Sequence, residues 1–190
     1  MALEQQSPAV TVVRCARSNA LLRDSKFKIR TATLEDAAGI LGILRAAFDE
    51  YRCDYTEAAY LDTVLTRDAL RTRMANSTVF VALDHSDRIV GTVSCNQINN
   101  QEGHVRGMAV RPEWQGAGLA AQLLQCAEAE LSERSCAVVT LDTTQPLRRA
   151  MRFYERNGYR RSGRVTDFFG MPLIEYVKKL PPLGWVDNQS

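Results

Sequence analysis

Val110-Arg111-Pro112-Glu113-Trp114-Gln115-Gly116-Ala117-Gly118-Leu119-Ala120 is the stretch on which the fold turns. An apolar strand end meets a proline, two glycines follow with one residue between them, and Leu119, Leu123, Leu124, Ala127 and Leu131 then recur at helical spacing to about Arg134. The local expectation is strand, glycine-containing loop, long amphipathic helix. The first turn of such a helix has N–H groups without intrahelical partners and the positive end of the dipole, so it can hold a pyrophosphate. Gly116 and Gly118 keep side chains out of the approach and permit the backbone angles that turn successive N–H groups toward one ligand.

Upstream, Phe27, Ile29 and Thr31 alternate as in a strand, and Thr33 with Asp36 three residues on opens a helix whose apolar side is Ala37, Ile40, Leu41, Leu44 and Phe48, ending near Tyr51. Residues 52–57 read as a loop. One helix is expected from about Ala58 to Met74, with Leu61, Val64, Leu65 and Leu70 inward and Arg67, Arg71 and Arg73 on the solvated side. Thr78 to Leu83 and Ile89 to Ile98 form a hairpin around Asp84-His85-Ser86-Asp87-Arg88, and a further strand, His104 to Val110, extends the antiparallel meander. Downstream come a strand, Ala137 to Leu141, a helix opened by Pro146 with Leu147, Ala150, Met151 and Tyr154 on one face, and a stop at Asn157-Gly158. Tyr159 to Arg164 and Leu173 to Lys179 close the pattern around Phe168-Phe169-Gly170.

Composition narrows the classes. A chain of 190 residues, 45% hydrophobic and 24% charged, suits one domain, and a net charge of +2 is too small for the field that non-specific nucleic-acid binding needs. The expected division is an N-terminal extension over 1–25, a domain over 26–180 and a tail over 181–190. Arg14, Arg17 and Arg23 allow a transit-peptide reading of the extension, but a flexible N-terminal extension is the simpler one. Five cysteines without paired spacing, no bilayer-length apolar run and no secretory core point to a cytoplasmic setting without a membrane partner. His85 and His104 stand on different strands without ligand-spaced acids or cysteines, which argues against a metal, and no GxSxG elbow is present.

Among phosphate motifs, the Walker pattern fails because no Gly-Lys-Ser/Thr follows the glycines. Gly116-Ala117-Gly118-Leu119-Ala120-Ala121 matches the dinucleotide GxGxxA, yet a meander precedes it where that fingerprint needs the first strand of a parallel unit. Gly107-Met108-Ala109-Val110, Gln115-Gly116-Ala117-Gly118-Leu119-Ala120 and Phe153-Tyr154-Glu155-Arg156-Asn157-Gly158-Tyr159 together resemble the GNAT superfamily of N-acetyltransferases, over roughly residues 27–180. Gln115, Gly118 and Ala120 satisfy the family's pyrophosphate pattern. The resemblance implies an α/β (α+β) domain with a splayed, mixed, mostly antiparallel sheet and flanking helices. It implies acetyl-coenzyme A as cosubstrate, held by Met108, Val110, Gln115, Gly116, Ala117, Gly118, Leu119 and Ala120, with the pantetheine arm between the strands His104 to Val110 and Ala137 to Leu141. The implied reaction is direct transfer to a primary amine of a small-molecule, peptide or protein acceptor, without a covalent enzyme intermediate. A non-catalytic coenzyme A-binding module is the alternative, and a dehydrogenase the distant third.

Transfer to an amine needs a neutral nucleophile, although a lysine-like amine is almost fully protonated at pH 7. Strict alternation puts His104, Arg106, Met108 and Val110 on one strand face, and the resemblance places the base six residues before Val110, where His104 stands. A water relay is the other route. The resemblance likewise assigns the Met108 amide to the oxyanion and Tyr154 to protonating the thiolate. Tyr154 also completes an apolar helix face, and the two roles are compatible. Where many relatives carry an asparagine seven residues before this tyrosine, Leu147 stands here, with Thr143 or Thr144 as stand-ins. The arginines at 148, 149, 152, 156, 160, 161 and 164 could attract a phosphate but read mainly as a solvated face, and Trp114 reads as packing rather than as an adenine cover. Asp49, Glu50, Asp54 and Glu57 stand where relatives bind acceptors. Acceptor identity and oligomeric state are left open, a homodimer being the commonest assembly.

Overall fold

The computed structural model describes residues 26–181. The chain runs β1 (Lys28–Thr31), α1 (Ala37–Phe48), α2 (Glu57–Val64), α3 (Arg67–Asn76), β2 (Thr78–Leu83), β3 (Ile89–Gln97), β4 (Glu102–Val110), α4 (Leu119–Glu133), β5 (Val138–Thr144), α5 (Arg148–Arg156), β6 (Arg160–Phe168) and β7 (Met171–Lys179). All seven strands join one sheet in the order β1-β2-β3-β4-β5-β7-β6. Every pairing is antiparallel except β4 with β5. The mixed, mostly antiparallel sheet is the one expected.

Alternation along β2 divides the core. Val79 and Val81 join Ile40, Ile43, Leu44 and Leu70 beneath α1 and α3, whereas Phe80 and Ala82 join Leu119, Leu123, Leu124 and Leu131 of α4 on the opposite face. Helices on both sides of β2 and β3 bury both sets of side chains there, whereas the edge strand β6 is exposed along almost its whole length. None of the helices among the described residues is long and apolar enough to cross a membrane.

Several boundaries differ from the sequence reading. The single helix expected over 58–74 is two, because Leu65 adopts φ 57° and the Thr66 side chain caps a new helix by accepting from the Ala69 N–H. Residues 49–54, read partly as helix end and partly as loop, form a 3-10 turn. The strand expected to stop at Leu141 continues to Thr144, and the helix expected at Pro146 begins at Arg148.

Asp36 fastens the entry to α1. Its carboxylate accepts the Thr33 N–H at 2.7 Å and two Arg30 guanidinium bonds at 2.6 and 2.8 Å. Arg30 beside it holds the Asp36 carboxyl below its ordinary 3.8, so this stabilisation is present above that pH and fades as the pH falls through the lowered folded value. Replacing Asp36 by Ala removes the cap and strands the guanidinium, an expected cost of about 2 kcal/mol, read as a fall in Tm of roughly 4–8 °C.

Candidate active site

β4 and β5 pair only from Glu102–Val105 against Val138–Leu141, after which they part. A cavity of about 820 Å³ lies in the fork, lined by β4 from His104 to Val110, by Asp142, Thr143 and Thr144 of β5, by the glycine loop, and by α5 including Tyr154. Strands that diverge leave main-chain groups on their facing edges without ladder partners, and such groups can pair with an extended ligand.

The fork is shaped by a bulge. Between Thr92 and Ser94 the β3–β4 register shifts, and Gly107 takes φ 60°. Val105 and Val110 therefore both pack on the α4 side, while Ala109 packs on the α1 side. This corrects the strict alternation expected from the sequence: His104 and Arg106 share the α1 face, but Met108 and Val110 do not. One inserted residue reverses which face every later side chain takes.

The loop entering α4 has the anticipated geometry. Gly116 and Gly118 hold φ 82° and 81°, and Gly118 is the N-cap. A Cβ built on either would meet nothing within 4 Å, so it is backbone conformation that calls for glycine there. The Gln122 N–H closes the first helical turn on the Gly118 carbonyl, which leaves Gly118, Leu119, Ala120 and Ala121 preceding it at the exposed mouth. Within the run, the Ala117 N–H is directed to the Trp114 carbonyl at 3.4 Å and the Leu119 side chain is buried in the core. Gln115, Gly116, Gly118, Ala120 and Ala121 line the cavity.

His104 is the best-partnered titratable group in the fork. Its Nδ1 lies 3.0 Å from the Thr140 hydroxyl, and its Nε2 lies 3.6 Å from an Asp142 carboxylate oxygen. Thr140 has its own acceptors in the Gly103 carbonyl at 3.3 Å and Glu102 at 3.4 Å. With the hydroxyl proton turned that way the network favours the tautomer in which Nδ1–H donates to Thr140 and the lone pair is on Nε2. Burial pushes His104 below its ordinary 6.5, Asp142 pulls it back up and Arg106 pushes it down again, so the ring is neutral near pH 7. Burial raises Asp142 above its ordinary 3.8.

Tyr154 lies at the cavity wall and in the core, its ring 6.0 Å from that of Tyr159 and 6.3 Å from that of Tyr176. Burial raises its hydroxyl far above the ordinary 10, which keeps it a proton donor at working pH. Thr144, one of the two stand-ins for the absent asparagine, hydrogen-bonds Tyr55, whereas the buried Thr143 hydroxyl has no hydrogen-bond partner among the described residues. Trp114 packs edge-on against Phe27 at 5.2 Å. Arg149, Arg152 and Arg156 line the cavity, and so does Glu50.

Asp142, Thr140 and Arg73 belong to the site and were not anticipated. Asp142 lay beyond the expected strand end, and Thr140 meets His104 only through parallel pairing across 36 residues. Arg73, read as solvated, faces inward to the cavity.

A parallel pair of strands that part over a helix mouth leaves main-chain groups facing a cavity with room for a long, extended ligand. Comparisons with known proteins specify the class. Residues 43–159 match the model of the Acetyltransferase (GNAT) family. The chain is 33% identical over 104 residues to N-alpha-acetyltransferase 30 of Schizosaccharomyces pombe, covering 52% of this chain and 69% of that protein. Its fold is similar to the PaiA N-acetyltransferase of Thermoplasma acidophilum in complex with coenzyme A, with TM-score 0.69, 17% identity and coverage of 82% of this chain and 100% of that one. It is also similar to the ribosomal-protein-S18-alanine N-acetyltransferase of Escherichia coli, with TM-score 0.67, 15% identity and coverage of 86% and 99%. The chain belongs to the GNAT acetyltransferase family and is an acetyl-CoA-dependent N-acetyltransferase.

Proposed function

We propose that this enzyme acetylates an amine presented at the fork between β4 and β5, with His104 as base, the Met108 N–H as oxyanion donor and Tyr154 as acid. The carrying observation is His104 itself, a neutral imidazole anchored through Nδ1 with Nε2 beside a carboxylate. Nε2 takes the proton of the attacking amine, and Asp142 stabilises the imidazolium that forms. As the amine nitrogen bonds to the thioester carbon, negative charge gathers on the carbonyl oxygen, where a fixed backbone donor acts at low reorganisation cost. The carbon–sulfur bond then breaks, and Tyr154 supplies the proton that the departing thiolate takes up. The pyrophosphate rests on the glycine loop and the mouth of α4, with Gln115, Gly116, Gly118, Leu119 and Ala120 as its cradle. Ala117 serves there as a spacer, and the main chain of Met108 and Val110 pairs with the pantetheine arm.

A peptide amino terminus is the acceptor best supported, by the likeness to an N-alpha-acetyltransferase over two thirds of that relative. The proposed setting is the cytoplasm.

Release of free thiol from acetyl-CoA, measured across small amines and peptides, is expected to depend on the acceptor, and acceptor-independent signal would leave only a binding module. In the same assay kcat/KM falls on an acidic limb below about pH 6.5 as His104 takes up a proton. His104→Ala removes that limb. Asp142→Asn moves it to lower pH, because the carboxylate raises the histidine. An unmoved limb in both variants would assign the base elsewhere.

A further inference from the structure

Arg73 is a cation in an unusual place. It stands on α3, a helix whose other arginines, Arg67 and Arg71, are exposed, yet it is largely buried and lines the cavity. Its guanidinium reaches the bulge of β4, where a Cβ on Gly107 would come within 2.7 Å of Nη1. The φ of 60° calls for glycine there, and regular alternation ahead of the bulge sets Arg106 on the same face as His104.

Among the described residues neither Arg73 nor Arg106 has a hydrogen-bond acceptor or an ion-pair partner within contact distance. The two guanidinium groups therefore push against each other, Arg73 from the recess and Arg106 from its exposed rim. Burial and Arg106 together lower Arg73 to about 10, and Asp62 of α2 is the one acid that pulls it back. At that value Arg73 is charged at neutral pH. A desolvated charge without a partner is costly to keep and is normally paired or functional. Two cations and one acid out of contact leave this part of the wall locally positive, whereas the His104 side carries Asp142 and Glu175.

We propose that Arg73 and Arg106 form a carboxylate-binding subsite, so that the preferred acceptor carries a carboxylate close to its reacting amine. This rests on the reading of His104 as the base. Arg106 lies two residues from His104 on the same face, a step of about 6.8 Å along a strand. Hydrogen bonds from the amine to His104 at one end and from Arg106 to the carboxylate at the other take up most of that span, so both groups can belong to one residue: a free α-amino acid, or a peptide whose first side chain is Asp or Glu. The planar fork of a guanidinium binds a carboxylate through two parallel bonds, and the pair would neutralise the charge that the fold leaves buried.

Two matched pairs of acceptors distinguish the sources in the thiol-release assay. One sets a peptide beginning with Asp or Glu against its Asn or Gln counterpart, and the other sets a free amino acid against its amide. In the native enzyme kcat/KM is expected to favour the acid by about tenfold or more in one pair, which names the source. R106Q and R73Q each lower that ratio by about tenfold, mainly through KM for the acid. R106Q tests an exposed side chain and so stands if R73Q folds poorly. An acid-to-uncharged ratio near one in both pairs overturns the subsite. So does an equal loss of kcat on acid and uncharged acceptors in R106Q, which would place the cation at the reacting carbonyl instead. Absence of acceptor-dependent thiol release in every arm would instead overturn the catalytic reading on which the subsite rests.

Discussion

Gly118→Val is expected to weaken acetyl-CoA binding on the order of 100-fold while leaving the protein folded. Gly118 adopts φ 81° and ψ −3°, the left-handed region, immediately before α4. A β-branched residue there is strained by about 1–3 kcal/mol. The loop is exposed, so it escapes the strain by turning its peptide planes rather than by unfolding the domain. Turning those planes is what destroys the cradle, because the N–H groups at the mouth of α4 no longer converge with the dipole behind them. Titration calorimetry with acetyl-CoA, alongside far-ultraviolet circular dichroism, separates the two effects. Retained tight binding by a folded Gly118→Val protein would contradict the assignment of the diphosphate to this loop.

Tyr154→Phe should lower kcat by about 100-fold and change the acetyl-CoA Kd by less than about twofold. The substitution deletes one oxygen and keeps the ring, so the packing on Tyr159 and Tyr176 survives and stability is nearly preserved. A phenol whose ionisation burial makes harder stays protonated, so it can offer its O–H to the departing thiolate but cannot deprotonate an amine. Pre-steady-state measurement of thiol formation reads the chemical step directly. Unchanged turnover would reduce Tyr154 to a core residue.

Linear order was enough to locate the glycine loop at the mouth of α4 and the core. That loop is contiguous, so two glycines, a preceding strand and a following amphipathic helix carry nearly all the information that shapes it. The same holds for the core faces, since Leu119, Leu123, Leu124 and Leu131 repeat with the helical period and Val79 and Val81 with the strand period. These features depend on neighbours along the chain.

What tertiary structure alone decided is the polar half of the site. The Gly107 bulge reverses the outlook of Met108 and Val110; a lone glycine in a strand permits such a bulge, and the register of β4 on β3 shows that it is used. Asp142 and Thr140 reach His104 because β4 and β5 run parallel for four residue pairs before they part. Arg73 lines the cavity from α3, a separate helix that begins after the Leu65 break, so the solvated face drawn for one continuous helix does not hold there. Each is a pairing between distant segments, and the periodicity of a single segment records which face is apolar but not which partner will lie across from it.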